Sequence, residues 1–330
     1  MQALRKILVP LTAALALSGC GAGGDNTPPP GGGGGTGYTG TLIGNGTSQV
    51  HTWDLARSND WLTRLSFSNY DVVALNVAAA ELFVAGLDMV DPLDVRVYDL
   101  GTFGLKRQWL WPDTEELWRV DGLSVSPDGK HAAAILSALG DPFLEVINIA
   151  EERIVMTDFT AMTSTDMEWV SNTELMFAME TAEYDVPYHG AIVKMDLSDP
   201  LSGTGTELRF DVLVGFSQAE WGTVHSYRLS QDGSQLVFAR AGDIWVKDLT
   251  DPGSPPHQLT TGPTSLAGPA FSPDGRWLAF VEFHPYGLEQ TFVIPNHSGA
   301  PILIDSQTIP GRVWRIEDGN LMEEILVWLP

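Results

Sequence analysis

The chain has a single cysteine, Cys20, among 330 residues, so no intrachain disulfide can form and stability must come from burial. Basic residues are also scarce: 18 Lys and Arg stand against 42 Asp and Glu, for a formal net charge of -24. This argues against nucleic acid as a partner, because neutralising a phosphate backbone takes clustered Lys and Arg. It argues equally against a polybasic contact with a membrane surface. The apolar run from Ile7 to Leu17 is too short to span a bilayer, which takes about 20 residues. Long helical patterns are nearly absent. So is catalytic grammar: no Gly-x-Ser-x-Gly elbow occurs, the nearest string being Gly215-Phe216-Ser217-Gln218-Ala219 without the closing glycine. The seven histidines show no His-x-x-x-His spacing.

The first residues form a processing signal. Arg5 and Lys6 make a positive n-region, Ile7 to Leu17 the apolar run, and Leu17-Ser18-Gly19-Cys20 a small-residue cleavage region. The stretch resembles the lipobox of bacterial lipoproteins, which implies cleavage after residue 19 and lipidation of Cys20. Residues 20–40, with Pro28-Pro29-Pro30 and glycine from 31 to 35, bury nothing and read as a flexible tether. The residue after the cysteine is Gly21 and not the aspartate that retains such proteins in the inner membrane. The resemblance therefore implies the outer membrane, on its periplasmic face. Loss of residues 1–19 removes two bases and no acid, leaving a charge of -26.

The remaining residues repeat. Leu123-Ser124-Val125-Ser126-Pro127-Asp128-Gly129-Lys130, Tyr227-Arg228-Leu229-Ser230-Gln231-Asp232-Gly233-Ser234 and Pro269-Ala270-Phe271-Ser272-Pro273-Asp274-Gly275-Arg276 each read as an alternating strand, a tight turn and a second apolar strand. Proline presets φ at the first central turn position, aspartate suits the second, and glycine takes the left-handed position that follows. Weaker copies lie at Asn172, at Asp318, and in Leu75 to Leu82 near Ala80. The marker positions 80, 128, 172, 232, 274 and 318 step by 48, 44, 60, 42 and 44. Units of about 40 to 50 residues with four strands each are the signature of propeller blades. After Asp318 the chain holds only enough for a second strand, while Gln49 to Leu55 and Asp60 to Leu65 read as third and fourth strands. The expected fold is therefore all-β, a six-bladed propeller over 41–330, closed by N-terminal strands that complete the C-terminal blade. On these hairpins the chain resembles the β-propeller domain of the TolB family. The resemblance is to the repeat and not to TolB as a whole, which carries an α/β domain before its propeller.

Function is expected away from the hairpins. In a four-stranded blade the first-to-second and third-to-fourth turns share one face, and the second-to-third loops and blade crossings share the other. The second face holds Tyr184, Tyr188 and His189 in one loop, and His284 and Tyr286 in another. The crossings add Trp109, Trp111, Trp118 and Trp221. Loop aromatics are favoured anchors for protein partners, so the expectation is a non-enzymatic module that binds an envelope protein or peptide and needs no cofactor. The alternative is a calcium-dependent hydrolase like the six-bladed lactonases, with Asp121, Asp166 and Glu168 as oxygen ligands at the channel mouth.

Overall fold

The computed structural model describes residues 40–330 except 47–48, 56–61, 67–71, 87–92, 113–118, 139–140, 159–161, 181–187, 204–207, 222–223, 264, 284–289, 305–312 and 316–321. The expected signal peptide, Cys20 and nearly all of the tether lie outside the described residues. Strands β1 (Thr41–Gly46), β2 (Gln49–Asp54) and β3 (Leu62–Ser66) come first. The first blade is β4 (Val72–Asn76), β5 (Glu81–Gly86), β6 (Asp94–Asp99) and β7 (Leu105–Leu110); the second is β8 (Arg119–Val125), β9 (His131–Ala138), β10 (Asp141–Asn148) and β11 (Arg153–Asp158). The third is β12 (Met162–Trp169), β13 (Glu174–Glu180), β14 (Gly190–Asp196) and β15 (Arg209–Phe216), with α1 (Ser198–Ser202) before β15 and α2 (Gln218–Trp221) after it. The fourth is β16 (Val224–Leu229), β17 (Gln235–Arg240), β18 (Asp243–Asp248) and β19 (His257–Gln258).

A short β20 (Thr260–Thr261) precedes the fifth blade, whose strands are β21 (Ser265–Phe271), β22 (Trp277–Phe283), β23 (Gln290–Pro295) and β25 (Val313–Arg315). Between the last two lies β24 (Ile302–Leu303), which pairs with β20 in parallel. The final strand, β26 (Met322–Leu329), pairs antiparallel with β1, setting Leu42 opposite Trp328. The sixth sheet thus runs β26, β1, β2, β3.

Closure by the N-terminal strands is as expected, with β2 and β3 as third and fourth strands. The division of labour differs. The C-terminus contributes only the innermost strand, and β1 is the second. The marker Asp318 itself lies outside the described residues; β25 before it is the outer strand of the fifth blade and β26 after it the inner strand of the sixth. The second strand of a blade is covered on both faces, and β1 meets that requirement with Leu42 and Ile43, 0% and 2% exposed.

Each sheet is apolar on both faces because each is sandwiched between neighbours, as the fully buried β5 illustrates. One apolar cluster fills each seam. Phe83 and Trp109 meet Leu123 and Leu136; Ile135 and Val146 meet Phe177 and Met195; Phe216 meets Tyr227 and Phe238. Val237 and Val246 meet Phe280 and Phe292, Ala279 and Val293 meet Leu42 and Trp328, and Ile43 and Val50 meet Leu82 and Val84. The ring is therefore held by side-by-side burial of blades, each apolar side chain contributing about 1.5–3 kcal/mol.

The three full hairpins are built alike. The Ser126 hydroxyl donates to Asp128 Oδ1 at 2.9 Å and accepts the His131 N–H at 3.0 Å, while Asp128 Oδ1 also accepts the Lys130 N–H at 3.1 Å. Ser230 with Asp232 (2.7 Å) and Ser272 with Asp274 (2.6 Å) repeat the arrangement. Gly129, Gly233 and Gly275 sit at φ 70, 69 and 69, where a Cβ would crowd the following carbonyl. In the worn copy of the first blade, Ala80 takes the left-handed position at φ 51, its N–H bonded to the Val77 carbonyl as that of Gly129 is to Ser126, and Asn76 Oδ1 accepts the Ala79 N–H.

Candidate functional site

The two faces differ in what their polar groups do. On the hairpin face the turns are stitched to one another across seams. Asn76 Nδ2 of the first blade donates to the Ser126 carbonyl of the second at 3.1 Å, and the Asp128 N–H donates to Asn172 Oδ1 of the third at 3.0 Å. Asn296 of the fifth blade donates to both Gly275 O (2.9 Å) and Gln235 Oε1 of the fourth (2.7 Å). Hydrogen bonds hold the hairpin carboxyls below the usual aspartate range. For Asp232 the first of these is the Ser230 hydroxyl. For Asp128, burial pushes upward but is outweighed by the Lys130 N–H and the Ser126 hydroxyl.

On the opposite face, the described part of the expected site gathers at the third and fourth blades. The backbone of His189, just before β14, donates to the Phe216 carbonyl at 2.9 Å, which brings Tyr188 and His189 beside the segment that carries α2 and Trp221. Tyr188 is 39% exposed, and its ring lies flat against Gly215, where any Cβ would sit 2.2 Å from a ring carbon. Next to it, Glu220 Oε2 accepts both the backbone N–H (3.0 Å) and the hydroxyl (2.8 Å) of Ser217. This is the carboxylate arm of a capping box in Ser217-Gln218-Ala219-Glu220, with the Ser217 hydroxyl turned onto the carboxylate, at the string that fails as a nucleophile elbow. Glu220 Oε1 accepts from Arg240 at 3.1 Å, and the Arg240 guanidinium sits 3.6 Å over the Trp245 ring. The Ser217 bonds, followed by Arg240, hold the Glu220 carboxyl below its ordinary range. Tyr184, His284 and Tyr286 lie outside the described residues, as does the side chain of Trp221.

Two of the crossing tryptophans are not surface groups. Trp109 and Trp111 are 9% and 2% exposed, and Trp111 Nε1 donates to Glu145 Oε2 at 2.8 Å. The outermost strand of the first blade and the crossing that follows turn these rings into the seam with the second blade, where they fill the gap beside Phe83. Trp118 lies outside the described residues.

The three candidate cation ligands serve the inner strands. Asp166 and Glu168 on β12 both face β16: Asp166 Oδ2 accepts the Ser226 N–H at 2.7 Å and Glu168 Oε2 accepts the Leu229 N–H at 3.2 Å. Ser226, at φ 49, stands in a bulge of β16 that turns this N–H out of the ladder. The Tyr227 hydroxyl completes the seam, donating to the Asp166 carbonyl and accepting the Ala178 N–H. Burial raises the Glu168 carboxyl, against the opposing pull of Arg228 and the Leu229 N–H. Asp121, in the second blade, accepts the Ser137 hydroxyl at 2.5 Å. Among the described residues, no three His, Cys, Asp or Glu side chains are grouped so as to hold a metal ion, and no helix is long and apolar enough to cross a membrane.

No protein-family model matches the chain, and neither does any curated protein. Solved structures do. TolB from Acinetobacter baumannii superposes with a TM-score of 0.59 at 16% identity, over 88% of this chain and 67% of that one. A chain from a nidogen/laminin complex gives 0.57 at 11% identity, over 89% and 99%. The Cps50 (Swd1) β-propeller domain of Myceliophteria thermophila gives 0.50 at 15% identity, over 88% and 87%. This chain is a six-bladed β-propeller. At such identities the likeness is one of fold, TolB-like and shared with other propellers, and function must be argued from the propeller's own residues.

Proposed function

We propose that the propeller is a non-enzymatic module of the bacterial envelope that binds a protein or peptide on the face opposite the hairpins, and that Cys20 anchors it by lipid to the periplasmic side of the outer membrane. The observation that carries the binding reading is the seating of Tyr188: an aromatic ring held half in the open on a glycine platform is pre-ordered, so little rotamer entropy remains to be lost when a partner covers it. His189 and the α2 segment extend the same patch; Tyr184, His284 and Tyr286, expected from the sequence on the same face, lie outside the described residues. A chain of similar fold in a nidogen/laminin complex is a compatible setting for such a module.

Replacing Tyr184, Tyr188 and Tyr286 together and repeating a crosslinked pull-down from envelope extracts tests the site. Unchanged recovery of partners sinks it. Cys20→Ser is expected to move the protein from the membrane to the soluble fraction, because acyl chains supply the anchoring energy. The calcium-hydrolase reading requires Asp121, Asp166 and Glu168 to release the donors they now hold; stoichiometric calcium in purified protein would favour it.

A further inference from the structure

The outer strand of the first blade differs from the rest of the surface. Five of the six residues of β7 are exposed, and Leu105 and Leu110 stand 55% and 54% open. Among the described residues β7 pairs only with β6, so its other edge carries unpaired backbone groups. Short outer strands blunt such edges, and β19 and β25 have only two and three residues, whereas β7, β11 and β15 run six, six and eight.

Charge sets β7 apart as well. Lys106 and Arg107 lie side by side on it, 40% and 43% exposed, and share Glu81 at 2.8 and 3.1 Å. Arg64 of β3 joins them, its guanidinium 5.8 Å from the ring of Phe103 in the turn before β7. Asp99, in that turn, is taken up by Thr102 and Gly101. Three cations against two acids make a basic edge in a chain of net charge -24. On the other long outer strands the single basic residue has an acid beside it: Arg153 of β11 pairs with Glu151 at 3.2 Å, and β15 carries Asp211 two residues after Arg209.

We propose that β7 is a docking edge for β-strand addition, and that the strand it accepts is an extended acidic segment with apolar residues at alternate positions. Backbone groups of the guest complete the ladder, its carboxylates meet Lys106 and Arg107, and its apolar side chains cover Leu105 and Leu110. A second copy of this chain is a poor guest, because symmetric edge-to-edge pairing sets the same cations against each other. The acidity of the remaining surface is screened beyond roughly 8 Å at physiological salt, so the local charge decides.

The probe is a capped, fluorescent peptide of alternating valine and glutamate, with a valine and lysine peptide as its counterpart, titrated into the whole protein. The glutamate peptide is expected to bind and to slow hydrogen exchange of the β7 amides. Charge reversal by K106E/R107E is expected to weaken it by about tenfold and to shift preference to the lysine peptide. K106Q/R107Q, with a melting curve beside it, separates loss of charge from loss of fold by weakening the glutamate peptide without favouring the lysine one. Equal protection of β7 by both peptides, protection by neither, or a concentration-dependent dimer that protects β7 without peptide would overturn the assignment.

Discussion

The hairpin face and the loop face of this propeller have the same strands beneath them and opposite uses for their polar atoms. On the hairpin face, serine, aspartate and asparagine are consumed by the fold, each closing a turn or tying one turn to the next blade. On the loop face, the comparable network of Ser217, Glu220 and Arg240 braces a platform on which Tyr188 stays partly open. A polar cluster on a propeller is therefore not a site because it is polar; it becomes a candidate when its bonds support something left exposed.

The comparison can be broken by substitutions that trade stability against binding. The largest effect is expected for Ser230→Ala, which leaves the Gln235 N–H without its acceptor and costs about 1–3 kcal/mol in chemical denaturation, with partner recovery unchanged. Gly233→Ala follows. No atom lies within 4 Å of the added Cβ, so only the left-handed backbone resists, at about 1–2 kcal/mol. A loss of binding in either variant would dissolve the distinction between the faces.

A pH series sharpens it next. Glu168 titrates above its ordinary value because of burial, so the folded state favours its protonated form. The resulting stability is present below the ordinary value of 4.5 and is lost as pH rises through the raised one. Asp128, Asp232 and Asp274 titrate low, so their stability is present above the ordinary aspartate value and lost as pH falls. Denaturation curves of Glu168→Gln are expected to lose the decline on the rising side alone; an unaltered pH profile contradicts the assignment. The smallest stability change belongs to Gly215→Ala, no more than about 1 kcal/mol, since the displaced Tyr188 ring can swing into solvent. Its effect is expected in partner binding, and normal binding would show that the seated ring is not what is recognised.

Blade number and the three full hairpins were legible because the turn itself demands them: a residue that tolerates φ near 70 must follow Asp128, Asp232 and Asp274, and glycine announces it. The first-blade turn was legible only through its flanking strands, since Ala80 bears the same conformation without the signal. Strand β1 escaped notice because Gly44, Asn45 and Gly46 hide an apolar pair in a turn-like composition. Trp109 and Trp111 looked like loop aromatics because burial in a seam depends on the neighbouring blade, as does the capping of β16 by Asp166 and Glu168. Tyr188 and His189 were visible as loop residues, whereas the platform at Gly215 required knowing which strand runs beside them.

The pairing of Leu42 with Trp328 also sets an order in time. Three strands made first must wait, lacking an inner neighbour, until the last one made arrives to join them. Contacts so remote in sequence form late, because the entropy of closing the intervening chain opposes them. Pulse-labelling during refolding is therefore expected to find the β1 and β26 amides protected last. Until then the fifth and first blades stand as the open ends of an unfinished ring.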